Sequence, residues 1–152
     1  MALFVTGSGQ KEKRMPEQTY RGSCHCGVVR YSVELNLDAG TIRCNCSLCG
    51  KSRAWFAFAP EDKFRLESGH DKLIAYRWTP PGKPKPNLSY HICSGCGVRT
   101  HAEGIGPGGA RTVAVQVATL DDADPDALAK SIRYVDGRHD HFDREPADTR
   151  LL

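Results

Sequence analysis

The sequence predicts a mainly β domain of short antiparallel strands, on three observations. Residues 28–35, VVRYSVEL, put Val29, Tyr31, Val33 and Leu35 on one face and Arg30, Ser32 and Glu34 on the other, the period of a half-buried strand. Five further short runs, AWFAFAP, KFRLESG, KLIAYRW, LSYHIC and RTVAVQV, are separated by Gly, Pro and Asp at intervals of about ten residues. All seven cysteines fall in three glycine-flanked groups, a pattern of metal-binding knuckles between strands.

In chain order, residues 1–18 read as an N-terminal tail. MALFV is too short for the core of a secretory signal, and the polar stretch GSGQKEKRMPEQ follows it. A single domain then takes residues 19–152, a length sufficient for one hydrophobic core. The strands named above occupy its middle. Only ADPDALAKSIR has helical character: Asp124 is placed to cap it, Pro125 suits the first helical position, and Ala127, Leu128 and Ile132 are able to share a face. TPPGKPKPN lacks the N–H groups for a strand ladder and GIGPGGA supplies tight turns, so both read as loops, flanking the LSYHICSGCG strand and knuckle.

Composition narrows the function classes. Lys and Arg total 21 against 18 Asp and Glu, a net charge of +3 without basic runs, which argues against a nucleic-acid groove. No stretch has the roughly 20 apolar residues of a membrane helix, so no membrane partner is expected. An odd cysteine count without an export signal predicts reduced thiols in the cytoplasm, used as metal ligands.

The groups are Cys24-His25-Cys26, Cys44-Asn45-Cys46-Ser47-Leu48-Cys49 and Cys93-Ser94-Gly95-Cys96, with Gly27, Gly50, Gly95 and Gly97 available for tight turns. Joining Cys24 and Cys26 with Cys93 and Cys96 closes a structural four-thiolate zinc site. Cys44, Cys46 and Cys49 then hold a second zinc with one position vacant, the arrangement of a catalytic zinc. A zinc ribbon built from Cys46, Cys49, Cys93 and Cys96 is the competing partition; it leaves Cys24, Cys26 and Cys44 without a role.

A three-thiolate zinc suits a sulfur ligand at its fourth corner and would deprotonate a substrate thiol, which is then able to attack an aldehyde carbon. Lys51 and Arg53 follow the trio and are candidates for holding a substrate carboxylate; Trp55, Phe56 and Phe58 are candidates for pocket wall or core. His25 is expected to point away from the metal and His91 to be a satisfied half-buried imidazole. His101 is a candidate acid, base or ligand near the open zinc, and His139 and His141, with Asp140 and Asp143, read as a hydrogen-bonded terminal loop. A zinc-stabilised binding module without turnover is the rival to the enzyme reading.

With GSCHCGVVRY, CNCSLCGK, HICSGCGV, VATLDDAD and DGRHDHF in this order, the sequence resembles the glutathione-dependent formaldehyde-activating enzyme family, which includes centromere protein V-like domains. The resemblance spans about Tyr20 to Asp143. It implies an Mss4-like, or β-tent, fold with two zinc ions: a structural one on Cys24, Cys26, Cys93 and Cys96, and a catalytic one on Cys44, Cys46 and Cys49. It also implies a carbon–sulfur lyase activity that condenses formaldehyde with glutathione to S-hydroxymethylglutathione, so small-molecule thiol and aldehyde are the expected partners.

Overall fold

The computed structural model describes residues 17–86 and 88–152. Most of the stretch read as a tail, residues 1–16, lies outside the described residues. In chain order the elements are β1 (Gln18–Ser23), β2 (Arg30–Leu35), β3 (Thr41–Cys44), α1 (Ser47–Ser52), β4 (Trp55–Pro60), β5 (Phe64–Ser68), β6 (Leu73–Arg77), β7 (Leu88–Cys93), β8 (Arg99–Ile105), β9 (Arg111–Gln116), α2 (Pro125–Lys130) and β10 (Ile132–Val135). They form the expected mainly β fold: a three-stranded sheet ordered β1-β2-β5, and a seven-stranded sheet ordered β10-β3-β4-β9-β8-β7-β6.

The alternation of β2 decides which way that strand faces. Val29, Tyr31, Val33 and Leu35 are all buried, and Tyr31, Val33 and Leu35 pack with Ala57 and Ala59 of β4, Val113 and Val115 of β9, and Val117. The two sheets thus share one core, and the Tyr31 hydroxyl buried within it is satisfied by Thr119 Oγ1 at 2.7 Å. Gly22, opposite Tyr31 in the ladder, leaves the room the ring fills: a Cβ there would overlap it.

All but one of the strand pairings are antiparallel. The exception is β10, which pairs parallel with β3 from Ile132↔Thr41 to Val135↔Cys44. Because the two strands run in register, the chain leaving β10 emerges beside the chain leaving β3, where the middle cysteine group begins.

The helical segment is shorter than its sequence pattern. Asp124 accepts from the Asp126 N–H and Pro125 opens α2 as expected, but the helix ends at Lys130 and Ile132 belongs to β10 rather than to the helical face. A second short helix, α1, carries Cys49. No helix among the described residues is long and apolar enough to cross a membrane.

Candidate metal centres

The first and third cysteine groups meet. Cys24, Cys26, Cys93 and Cys96 bring their sulfurs within 4.8 Å of one another. Cys24 and Cys26 Sγ are 3.5 Å apart, and Cys26 and Cys93 Sγ 3.7 Å. A tetrahedral zinc with bonds of about 2.3 Å spaces its sulfurs by about 3.8 Å, so this set fits the ion, and the thiols are free. Each knuckle closes with a glycine N–H: Gly27 to Cys24 O at 2.9 Å, and Gly97 to Cys93 O at 2.8 Å. Both glycines take a positive φ, +76° and +75°, which is why glycine stands there; Gly50 and Gly95 do not. The backbone N–H groups of Cys26 and Val98 draw the Cys96 thiol down to about 6, favouring the thiolate a metal needs.

The middle group stands by itself. Cys44 ends β3, Cys46 caps α1 and Cys49 lies within it, their sulfurs again within 4.8 Å. Two backbone donors face these sulfurs: Cys46 N to Cys44 Sγ at 3.4 Å and Cys49 N to Cys46 Sγ at 3.5 Å. Thiol donation from Cys44 and Cys49, aided by the N–H groups of Cys49 and Leu48, pushes Cys46 well down, while the same contacts push Cys49 up. The ribbon pairing Cys46 and Cys49 with Cys93 and Cys96 is not formed, since the four-cysteine set takes the latter two.

The chain leaving β10 frames the trio. Asn45 donates to Asp136 Oδ1 at 2.7 Å and accepts from Arg138 N at 2.8 Å. Gly137 is thereby held against the sulfurs: a Cβ there would overlap Cys44 Sγ and stand 3.3 Å from Cys46 Cβ. His139 Nδ1 lies 2.7 Å from Asp136 Oδ2, so the DGRHDHFD segment is a hydrogen-bonded loop, as read from sequence.

A cavity of about 910 Å³ opens beside Cys46, walled by Asn45, Gly50 and Lys51 on one side and Gly137, Arg138 and His139 on another. Trp78, Pro80, Pro81, Gly82 and Lys83 form a further wall, so the proline-rich loop borders this cleft. Lys83 Nζ reaches Asp140 Oδ2 at 3.2 Å and ties the two loops together.

Of the two cations expected near the trio, Lys51 lines the cleft. Arg53 does not: it adopts a left-handed conformation at the end of α1, and its guanidinium donates to the Leu151 carbonyl. The aromatic residues are likewise outside the cleft wall. Phe56 is buried with Cys49 and Tyr90, Trp55 donates to Thr41 Oγ1 at 2.8 Å, and Phe58 is exposed. His25 is exposed and belongs to no ligand group among the described residues.

His101 is displaced furthest from its expected place. It is 1% exposed, packs against Phe64 and stacks on His91, and its polar neighbours are Thr100 and Glu103 rather than the trio. His91 is half-buried as expected, but its Nε2 is shielded and lacks a hydrogen-bond partner.

Sequence reasoning also passed over Arg99. Its guanidinium lies over Phe56 at 5.0 Å and Tyr90 at 5.5 Å, with Nε and Nη2 buried and unpaired. Burial lowers its pKa, and through Phe56 and Tyr90, which pack with Cys49, the cation lies on the core side of the trio. A lone arginine after a knuckle carries no signal in one sequence. Asn45, Asp136 and Gly137 did lie inside quoted motifs, but their mutual contact depends on the β3–β10 pairing.

A crystal structure of a Rhodobacter sphaeroides protein is similar to this chain with a TM-score of 0.62 and 29% identity, over 76% of this chain and 99% of that one. The family profile described as glutathione-dependent formaldehyde-activating enzyme matches residues 19–135, which include all seven cysteines. The chain belongs to the glutathione-dependent formaldehyde-activating enzyme family.

Proposed function

We propose that this protein is a cytoplasmic carbon–sulfur lyase-type enzyme that joins the thiol of glutathione, or a similar thiol, to formaldehyde or another small aldehyde. One observation carries the reading: a three-cysteine group, with no fourth protein ligand among the described residues, stands at the edge of a cleft that Lys51 and Arg138 help to line. The family's dependence on glutathione supplies the thiol.

The donor sets fit zinc. Cys24, Cys26, Cys93 and Cys96 would hold a structural ion, and Cys44, Cys46 and Cys49 a catalytic one with a corner open. Bound at the trio, zinc supplies the Lewis acidity that keeps an incoming thiol deprotonated at neutral pH. Lys51 and Arg138 hold the thiol's carboxylates, fixing its sulfur near Cys46. The loops at 78–83 and 137–140 orient the aldehyde and limit water. His139 lines the cleft with its Nδ1 tied to Asp136, which leaves Nε2 to relay a proton between the thiol and the new hydroxyl. In the net reaction one C–S bond forms, the carbonyl π bond is lost, and the thiol proton ends on the new hydroxyl.

The test is a titration of cobalt-substituted protein with glutathione. Saturable growth of sulfur-to-cobalt charge transfer, matched by turnover with formaldehyde and lost in Cys46→Ser, is the expected result. No saturable binding to the fully metallated protein would overturn the glutathione assignment.

A further inference from the structure

Strands β7 and β8 carry a group of ligand atoms that neither cysteine site uses. His91 and His101 are directly opposed in the antiparallel register, and Glu103 lies two residues beyond His101, so all three side chains share one face of the sheet. The imidazoles stack at 4.6 Å, and their Nε2 atoms each face a Glu103 oxygen: His91 to Oε2 and His101 to Oε1, both at 3.5 Å.

That spacing is long for a direct N–H···O bond, which usually spans about 2.7–3.2 Å. It matches two donors sharing a tetrahedral cation, which bonds of about 2.1 Å place about 3.4 Å apart. The hydrogen bonding agrees. His101 Nδ1 pairs with Thr100 Oγ1 at 2.9 Å, and with Nδ1–H as donor, Nε2 presents its lone pair to the carboxylate. Two ring nitrogens at that distance from one carboxylate are placed to share a cation with it, and the polar partner on the outer nitrogen of His101 is the usual support of a metal-bound histidine. His91 Nε2, shielded from solvent, forms no hydrogen bond.

We propose that His91, His101 and Glu103 form a third metal site, for a divalent first-row transition ion such as zinc, cobalt or iron. Two imidazoles and one carboxylate favour these ions over magnesium or calcium, which take oxygen donors. Three protein ligands leave positions open. Phe64 seals the inner side of His101, while His91 and Glu103 border a cavity of about 630 Å³ that the ion and its remaining ligands are able to enter. Arg77, Lys85 and Arg111 also line that cavity, which makes a small anion or water the natural exogenous ligand. The site shares no residue with either cysteine group, and so does not depend on the reading of the trio.

The test starts from protein carrying two zinc equivalents on its cysteines, desalted and titrated with cobalt(II), following heat and the visible spectrum. The expected result is one further saturable equivalent with ligand-field bands and no new sulfur-to-cobalt charge transfer. Glu103→Gln and, separately, His91→Gln weaken that equivalent at least about tenfold, while both retain the two zincs, which verifies folding. Absence of a third equivalent in the parent protein overturns the proposal. So does new charge transfer, which puts the cobalt on sulfur, or an affinity unchanged in both variants.

Discussion

Replacing Gly137 with alanine adds one carbon to the backbone that lies over the middle cysteines, and the consequence follows from the space there. Gly137 does not need a positive φ, so alanine brings no backbone penalty. Its Cβ, however, would overlap Cys44 Sγ, where ordinary contact is about 3.5–4.0 Å. Relief requires a movement of more than about 1 Å, against a tolerance of about 0.2 Å in metal–ligand distances. Moving Cys44 spoils the ligand geometry. Moving residue 137 instead strains the Asn45 bonds to Asp136 and Arg138, and Phe142, 3.3 Å from the added carbon, restricts that escape. Overpacking of this kind costs about 1–3 kcal/mol, equivalent to a loss of about 5–150-fold in zinc affinity at the trio. Chelator competition resolves the two zinc equivalents, and only the weaker should shift. Gly50→Ala is the matched comparison: its Cβ meets nothing nearer than Asn45 O at 3.9 Å, and inside α1 it should add up to about 1 kcal/mol of stability. Wild-type zinc affinity in Gly137→Ala would refute the claim that the chain after β10 frames this site.

Cys46→Ser should lose the trio's zinc and turnover yet stay folded, whereas Cys93→Ser, at a fully buried ligand of the four-cysteine set, should fail to fold; zinc content and circular dichroism check both. Lys51→Met should raise KM for glutathione with zinc content unchanged, as steady-state kinetics and metal analysis would show. Arg99→Met keeps the packing on Phe56 and Tyr90 but removes two unpaired buried N–H-bearing nitrogens, so melting temperature should hold or rise while zinc affinity at the trio falls. A lower melting temperature with unaltered zinc affinity would assign Arg99 to the core alone. Gly22→Ala, driven into the buried Tyr31 ring, should destabilise the protein by about 1–3 kcal/mol in a urea melt.

How far the sequence could be read varied with burial. In β2 one face meets the core and the other does not, so its alternation survives in the residue types. In β8, Thr100, His101 and Ala102 are all buried in succession, the two-residue period disappears, and the His101/Glu103 face disappears with it. The strands β3 and β10 have four residues each, too few to show a period, and the start of β10 was absorbed into the helical reading of residues 123–133. The two cysteine sets were legible because ligand count and spacing are local facts. Arg53 illustrates the opposite case: two residues beyond Lys51 at the end of a short helix, it turns through a left-handed residue toward Leu151, a direction no spacing rule supplies.

The two cysteine groups differ in what holds them, and that difference bears on their chemistry. The four-cysteine set is made by two self-contained knuckles, each closed by its own glycine N–H, so each half is held locally and the four sulfurs make up a full tetrahedral donor set. The trio has local ligands but a borrowed enclosure: β3 and α1 supply the sulfurs, whereas residues 136–139 arrive from almost a hundred positions away through a parallel strand pair. Those framing residues lie just beyond position 135, where the family match ends. A donor set and a wall supplied by separate segments allow the wall to change without disturbing the sulfurs. For the proposed reaction, the determinants of thiol and aldehyde choice would then lie in the 78–83 and 137–140 loops, which Lys83 and Asp140 join across the cleft mouth.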